Sequence, residues 1–160
     1  MKSISTYIIE SINGEDTVKK YANMIVVSPD NEILILQRAY YLKDFRGLWG
    51  FPGGSIDKKD NSVKAAAIRE LKEETGIELT FNEETMYCKQ IDDIENKDGS
   101  HSIYFIVKLE TKPEVKISKE HRDYKWYSEN NQEVYKWMPD VFQLIQKVYN
   151  DKIYDNLHTL

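Results

Sequence analysis

The feature that most constrains this chain is a glycine-rich loop followed at once by a well-capped helix. Residues 47–54 contain four glycines and one proline, which indicate an irregular loop. A helix is then predicted from about residue 62 to 75. Residues 60–62 (Asp-Asn-Ser) are good N-caps, and Gly76 stands where a C-terminal glycine cap belongs. Any fold for this chain must accommodate that loop beside that helix.

The remaining hydrophobic pattern predicts a sheet of short strands. Residues 22–28 form an apolar, β-branched run, residues 28–31 favour a turn, and residues 32–38 predict the partner strand of a hairpin. A second helix is predicted over 139–150, where apolar residues recur at helical spacing. Further strands are predicted at 7–9, 77–81, 86–91, 101–109, 114–117 and 124–127. The chain is therefore predicted to be an α+β layered protein, with residues 1–160 in a single domain.

Composition bears on several classes of function. The 160 residues carry a net charge of −5, which does not suit binding to duplex nucleic acid. No apolar run approaches the roughly 20 residues of a membrane span, and none at the N-terminus suits a signal peptide. The single cysteine, Cys88, is expected to be a buried small hydrophobic residue in a reducing, cytoplasmic setting. Monomer and homodimer both remain open.

Three glutamates on the predicted helix form the strongest candidate site. Glu70, Glu73 and Glu74 are three and four residues apart, so they share one face within one turn, bordering the buried side of the helix. Crowded carboxylates repel, and a divalent cation removes that repulsion. An oxygen-only ligand set favours Mg²⁺ or Mn²⁺ over zinc. Arg69, one turn before Glu73, can orient that carboxylate.

A solvated acidic helix face is the alternative interpretation of these glutamates, since charged runs usually face water. The glycine-rich loop before the helix favours the metal site. Such a loop can bring backbone carbonyls to a cation and backbone N–H groups to phosphate oxygens.

This region resembles the signature of the Nudix hydrolase family, Gly-x5-Glu-x7-Arg-Glu-U-x-Glu-Glu-x-Gly-U, in which U is a bulky aliphatic residue. Residues 47–54 are similar to the family's approach to the signature. The resemblance implies a Nudix fold, an α/β/α sandwich around a mixed β-sheet. The second half of the signature is matched without exception by Arg69, Glu70, Leu71, Glu73, Glu74, Gly76 and Ile77.

Two departures from the signature concern the loop. One more residue separates Gly54 from Arg69 than in the family's pattern. Asn61 stands where the family has its first glutamate, with Asp60 beside it. Since that glutamate is usually a peripheral contributor, the departures bear on the geometry of the loop more than on metal binding.

The resemblance implies Mg²⁺-dependent hydrolysis of the pyrophosphate linkage of a nucleoside diphosphate derivative, with Mn²⁺ as a possible substitute. Water attacks one phosphorus, while the metal bridges phosphate oxygens and neutralises developing charge. The same resemblance implies that Glu70, Glu73, Glu74 and the carbonyl of Gly53 bind the metal, and that Arg69 holds the glutamates.

A further catalytic carboxylate is expected in a loop near the C-terminal strand, because many members of the family place one there before an aromatic residue. Glu120 fits that position by order along the chain, and Asp123 is the second choice. The alternative interpretation of Glu120 is an exposed loop glutamate, and the two interpretations have about equal weight.

Four residues are candidates for substrate binding. Arg38 ends a predicted strand and could contact a phosphate, although a surface arginine is equally expected. Arg46 could gather an anionic substrate through local potential. Trp49 or Phe51 could stack on a base, but aromatic residues beside a strand more often belong to the core.

Two classes of function fit the motif: a pyrophosphohydrolase, and a non-catalytic module that binds a nucleotide. The presence of all three motif glutamates favours the enzyme. Residues 92–95 lack the proline or tyrosine expected for ADP-ribose or dinucleoside polyphosphate enzymes of the family. The expected substrate is therefore a nucleoside triphosphate or another small nucleotide, with nucleoside diphosphate sugars next.

Overall fold

The computed structural model of the protein describes residues 18–79 and 88–157. These residues form seven strands, two α-helices and a short 3₁₀ helix at 153–156. In chain order, the strands and α-helices are β1 (Lys20–Val27), β2 (Ile33–Arg38), β3 (Trp49–Gly50), β4 (Gly53–Ser55), α1 (Val63–Thr75), β5 (Lys89–Glu95), β6 (His101–Lys108), β7 (His121–Tyr127) and α2 (Val141–Asn150).

The strands form one mixed sheet. β1 and β6 run parallel along their whole length, from Lys20 opposite His101 to Val27 opposite Lys108. The other pairings between the described strands are antiparallel. β5 lies at one edge beyond β6, and β7 pairs with β2 at the other end of the sheet.

A gap between β1 and β2 holds the glycine-rich segment. In the described chain, β1 and β2 are paired only where Val27 faces Ile33. β3 pairs with the end of β2, β4 pairs with the start of β1, and between them the Met24 N–H donates to the Pro52 carbonyl at 2.9 Å. The predicted irregular loop thus contains two short strands, because backbone groups inside a sheet must find hydrogen-bond partners.

Each face of the sheet packs against one helix. Successive residues of a strand point to opposite faces, so Met24 and Val26 join the core beneath α1 while Ile25 and Val27 join the core beneath α2. The apolar residues of the helices complete the two cores: Ala66, Ala67 and Leu71 from α1, and Val141, Leu144, Ile145 and Val148 from α2. The α/β/α sandwich around a mixed sheet is confirmed.

Helix α1 has the caps that the sequence predicts. The Ser62 hydroxyl accepts a hydrogen bond from the Ala65 N–H at 3.0 Å, and Gly76 adopts a left-handed φ of 73°. Helix α2 begins two residues later than predicted, because Asp140 has a φ of 69°, outside the helical region. Among the described residues, no helix has both the length and the apolarity needed to cross a membrane.

Two predicted strands are absent from the described residues. Residues 77–79 are not a strand, and residues 114–117 run instead along the C-terminal end of α1. There the Lys116 N–H donates to the Thr75 carbonyl at 2.9 Å, and the Ser118 N–H donates to the Glu74 carbonyl at 3.0 Å. These amides satisfy the free carbonyls of the helix end, which leaves them unavailable to a strand partner.

Two other strands have different bounds from those predicted. β5 covers Lys89–Glu95 rather than 86–91, and β7 covers His121–Tyr127 rather than 124–127. The predicted strand at 7–9, residues 80–81 of the 77–81 segment and residues 86–87 lie outside the described residues. Cys88 is buried against Met24, and burial raises the pKa of its thiol to about 11, as expected for a structural cysteine.

Candidate active site

A cleft of about 1430 Å³ brings the candidate carboxylates together. Its walls come from one face of α1, the glycine-rich segment, the start of β7, the β5–β6 hairpin and the segment before α2. The predicted site residues that line it are Arg38, Phe51, Gly53, Glu70, Glu73, Glu74 and Glu120.

The three helix glutamates share the cleft but differ in exposure. The side chain of Glu73 is 58% exposed, that of Glu70 is 14% exposed and that of Glu74 is 6% exposed. The helix face therefore turns from solvent into the protein within a single turn, as its position beside Ala66 and Ala67 predicts. An evenly solvated acidic face does not describe this arrangement.

Glu74 lies at the most buried point of the cleft. Its Oε2 accepts a hydrogen bond from the Gly53 N–H at 3.2 Å and lies 3.7 Å from Nε2 of His121. Burial raises the pKa of Glu74 to about 9, with further contributions from the nearby charges of Glu70 and Glu120. Burial also raises the pKa of Glu70 and lowers the pKa of His121 to about 4.

Arg69 connects the loop to the helix carboxylates. Its Nη1 donates to Glu70 and to Glu73, each at 3.1 Å, and its Nη2 donates to the Ser55 carbonyl at 3.1 Å. The contact with Glu73 is the one predicted from helix spacing. Asp60 binds the same guanidinium with both carboxylate oxygens, each at 2.9 Å.

Asp60 is a residue whose role the sequence reasoning missed. Its hydrogen bonds to Arg69 lower the pKa of Asp60, and they raise the pKa of Arg69. Asn61, the residue at the family's first glutamate position, is exposed. The sequence did contain a signal for this role. Asp60 is an acidic residue one position before Asn61, in the loop that carries one residue more than the family's pattern.

The two glycines that begin β4 are required for close approach. An added Cβ at Gly54 would lie 2.6 Å from the Glu70 carboxylate. An added Cβ at Gly53 would lie 2.6 Å from the Ala22 carbonyl oxygen, within the backbone of β1. The strand therefore presses against both the sheet and the helix, which places the Gly53 backbone beside the carboxylates.

The donor set fits a hard divalent cation. Carboxylate and carbonyl oxygens are the ligands that Mg²⁺ and Mn²⁺ prefer, and a cation would offset the burial and the repulsion that together raise the pKa of Glu70 and Glu74. Across residues 18–79 and 88–157, no three His, Cys, Asp or Glu side chains are arranged to hold an ion in this conformation. Arg69 holds two of the carboxylates, so binding an ion requires side chains to turn, which the exposed Glu73 can do at low cost.

Glu120 reaches the cleft from the opposite side. Its carbonyl accepts a hydrogen bond from the Ala39 N–H at 2.8 Å, just before β7 begins. Its side chain is exposed, yet its charge raises the pKa of both Glu70 and Glu74. Asp123, the second choice for this role, is not among the residues lining the cleft, and its carboxylate accepts from the Tyr124 N–H at 2.8 Å.

The four predicted substrate-binding residues have different positions. Arg38 and Phe51 line the cleft, and the ring of Phe51 meets Tyr104 edge-on. Arg46 is exposed and outside the lining of the cleft. Trp49 is 8% exposed and packs edge-on against Tyr135 in the core beneath α2, so it belongs to the core and not to the cleft wall.

His121 and Tyr104 also line the cleft but were not predicted as site residues. Burial raises the pKa of Tyr104 to about 12, so its hydroxyl keeps its proton. Neither residue belongs to the glutamate motif, and the sequence pattern alone does not show that their strands meet the helix. The one available signal was the position of His121 next to Glu120.

The comparison with protein families agrees with this geometry. The model of the NUDIX domain matches residues 18–147, which is more than half of the chain. The chain belongs to the Nudix family. A curated relative from Escherichia fergusonii, named uncharacterized Nudix hydrolase NudL, is 45% identical over 53 residues. That match covers 33% of this chain and 28% of the relative, so it spans less than a third of the relative's length.

Solved structures share the Nudix fold at low sequence identity. The NUDIX domain of Shewanella oneidensis NrtR, complexed with ADP ribose, has a TM-score of 0.72 at 20% identity, covering 94% of this chain and 99% of that chain. A second structure is that of a bifunctional NMN adenylyltransferase/ADP ribose pyrophosphatase from Francisella tularensis, complexed with AMP and Mn ion. It has a TM-score of 0.66 at 23% identity, and the match covers 92% of this chain and 47% of that chain.

The two glycines give a first prediction. Gly54→Ala is expected to displace the mobile end of Glu70 and to lower activity at least 10-fold, with a melting temperature near that of the wild type. Gly53→Ala is expected to destabilise the fold, because its Cβ meets backbone atoms. Thermal melts and nucleotide hydrolysis assays on both variants check this contrast. Equal loss of stability in the two variants would contradict it.

The buried carboxyl of Glu74 gives a second prediction, for the ion-free protein. A carboxyl whose pKa rises from 4.5 to about 9 on folding favours the folded state when protonated. Its contribution to stability is therefore lost as the pH rises through that range, by up to about 1.4 kcal/mol per pH unit. Glu74→Gln removes this titration, so its stability should depend less on pH and exceed that of the wild type near pH 8.

Urea unfolding in excess chelator at several pH values measures how the free energy of unfolding depends on pH for the wild type and for Glu74→Gln. Glu78→Gln is the matched control, since that side chain is 69% exposed and pairs only with Lys72 among the described residues. Parallel profiles for wild type and Glu74→Gln would show that Glu74 is not held in an unfavourable charged state.

Proposed function

We propose that this protein hydrolyses the pyrophosphate linkage of a nucleoside diphosphate derivative, with a divalent cation as cofactor. The observation that carries this proposal is the crowding of Glu70, Glu74 and Glu120 around one cleft, where burial and mutual repulsion raise the pKa of the first two. A structural role gives no reason to bury carboxylates at this cost, whereas a cation and a phosphate chain compensate them.

The residues proposed to hold the cation are Glu70, Glu73, Glu74 and the carbonyl of Gly53, with Mg²⁺ as the expected ion and Mn²⁺ as a substitute. When bound, such an ion supplies charge neutralisation at the phosphate oxygens and increases the acidity of bound water. Arg69 keeps Glu70 and Glu73 on the cleft side of the helix, because Asp60 and the Ser55 carbonyl fix its guanidinium.

Arg38 is proposed to bind phosphate oxygens. Its Nε donates to the Asp44 carbonyl at 3.0 Å, which fixes the plane of the guanidinium at the cleft. Its two terminal nitrogens are the donors proposed to form a pair of hydrogen bonds with a phosphate group. This local positive charge explains how a chain with a net charge of −5 can bind an anionic substrate.

Glu120 is proposed as the general base. Its side chain lies in the cleft, is exposed to solvent, and forms none of the ion pairs that Arg69 makes with Asp60, Glu70 and Glu73. In the reaction, the water oxygen bonds to one phosphorus, the bridging P–O bond breaks, and Glu120 accepts the proton that the water loses. The leaving phosphate oxygen carries away the electron pair of the broken bond.

The nucleoside is proposed to lie against the apolar part of the cleft, which Phe51, Tyr104 and Met138 form. Apolar walls with a few polar groups are typical of nucleotide sites. The proposed substrate is a nucleoside triphosphate or another small nucleotide. The ADP ribose and AMP ligands of the two structural relatives support a small nucleotide as the class.

Metal dependence is the third prediction and the direct test of this function. Purified protein is incubated with a panel of nucleoside triphosphates, nucleoside diphosphate sugars and ADP-ribose, and release of phosphate or pyrophosphate is measured. Hydrolysis is expected with Mg²⁺ or Mn²⁺ and should stop in excess chelator. Nucleotide binding without hydrolysis of any panel member would instead indicate the non-catalytic alternative.

The role of Glu120 gives a fourth prediction. Glu120→Gln should lower kcat by roughly 10²–10⁴-fold with little change in KM, the range for loss of a general base. Asp123→Asn is the matched control and should turn over like the wild type, because Asp123 lies outside the lining of the cleft. Steady-state kinetics across pH compare the two variants. If Asp123→Asn loses activity while Glu120→Gln turns over like the wild type, the general base would be Asp123 instead.

A further inference from the structure

A β-bulge between β2 and β7 controls which side chain faces the cleft. Tyr124 pairs with Leu36 and Asp123 pairs with Gln37, but the next pair is His121 with Arg38. Arg122 is therefore the extra residue of the bulge. Bulges of this kind occur beside active sites, where they redirect a side chain.

The bulge exchanges the faces of two neighbouring residues. Leu34 and Leu36, the partners of Trp126 and Tyr124, belong to the core beneath α1. A regular ladder would continue this alternation and turn Arg122 to the same face. In the structure, His121 takes that place, and the guanidinium of Arg122 lies 4.0 Å from the ring centre of Tyr40.

His121 is buried at the floor of the cleft with one nitrogen facing Glu74. The side chain is 4% exposed, and Nε2 lies 3.7 Å from Oε2 of Glu74. The other ring nitrogen, Nδ1, is buried without a hydrogen-bond partner in the described part of the chain. The backbone of His121 is also held in place, since its N–H donates to the Ser118 carbonyl at 3.1 Å.

The surroundings of the two nitrogens favour one tautomer of the uncharged ring. Oε2 of Glu74 already accepts the Gly53 N–H, so it presents an acceptor to His121. A buried N–H without a partner is more costly than a buried acceptor without one. A proton on Nε2 faces an acceptor, whereas a proton on Nδ1 has none among the described residues.

We propose that His121 is a positioning residue that donates from Nε2 to Glu74 and fixes the direction of this carboxylate in the cleft. The proposal rests on the proposed function, because Glu74 is there a ligand of the cation. The present distance is longer than a hydrogen bond, and contacts of this kind in ligand-free sites often shorten when the complex forms. Without the bulge, Arg122 would take this place, form an ion pair with Glu74 and compete with the cation. The bulge avoids that competition by placing His121 there instead.

The first experiment reads the tautomer directly and needs neither metal nor activity. Long-range ¹H–¹⁵N spectra of the ¹⁵N-labelled protein at neutral pH distinguish a protonated Nε2 from a protonated Nδ1. The chain has three histidines, so the spectrum of His121→Gln identifies the signals of His121. The proposal expects the proton on Nε2. A proton on Nδ1 would overturn it.

The second experiment compares two variants that each keep one nitrogen of the ring. Glutamine places an amide near the position of Nε2, and asparagine places one near Nδ1. His121→Asn should lower kcat and the affinity for Mn²⁺ alone by roughly 10–100-fold, the range for loss of a residue that orients a metal ligand. His121→Gln should retain both values within about 5-fold, and KM should change little in either variant.

The matched control is His101→Gln, which alters a histidine outside the lining of the cleft and should leave kcat unchanged. Thermal melts of all variants separate positioning from folding, because a purely structural role would lower the apparent kcat only where part of the protein is unfolded at the assay temperature. Equal kcat values for His121→Asn and His121→Gln would overturn the proposal.

Absence of hydrolysis in the wild type would instead reject the proposed function. The tautomer and the Mn²⁺ affinities would still test the role of His121.

Discussion

The site depends on the contact between the Gly53 N–H and the Glu74 carboxylate. This hydrogen bond joins the segment that fills the gap between β1 and β2 to the last turn of α1. It forms because Gly53 lies against the backbone of β1, with no room for a side chain, and because Glu74 turns away from solvent at the end of the helix. The same strand holds Gly54 against Glu70, so the loop cannot move without displacing two carboxylates.

Charge in the cleft is only partly balanced by the protein itself. Arg69 forms ion pairs with Asp60, Glu70 and Glu73, but it does not contact Glu74. The close neighbours of the Glu74 carboxylate are the backbone N–H of Gly53 and the uncharged imidazole of His121. Glu74 therefore carries a desolvation cost that no cationic side chain in contact with it offsets within the described residues. In the proposed site, Glu74 is therefore the carboxylate with most to gain from a cation, whereas Glu70 and Glu73 would give up part of their contact with Arg69 to bind it.

Local sequence signals predicted α1 well, and they failed where the structure depends on distant contacts. Ser62, Gly76 and the spacing of the glutamates act within one helix, so their effects could be read from neighbouring residues. The register that turns His121 inward arises from the pairing of β7 with β2. The path of residues 114–118 arises from hydrogen bonds to the carbonyls at the C-terminal end of α1. Trp49 shows the same limit, because its partner Tyr135 is far along the chain and fixes it in the core.

Ligand binding and stability are coupled in such a site. A cation that binds the folded state and not the unfolded chain stabilises the fold, by about 2.7 kcal/mol when its concentration is 100 times its Kd. In this protein the proposed coupling would act on particular atoms, since the charge of Glu120 raises the pKa of Glu70 and Glu74 only when folding brings α1 and the start of β7 to one cleft. The Gly53 N–H offsets part of the cost of a charged Glu74 by donating to it, whereas the uncharged His121 supplies no opposite charge. The proposed cation and a phosphate chain would offset what remains of this cost, so the folded state is expected to gain stability when they bind.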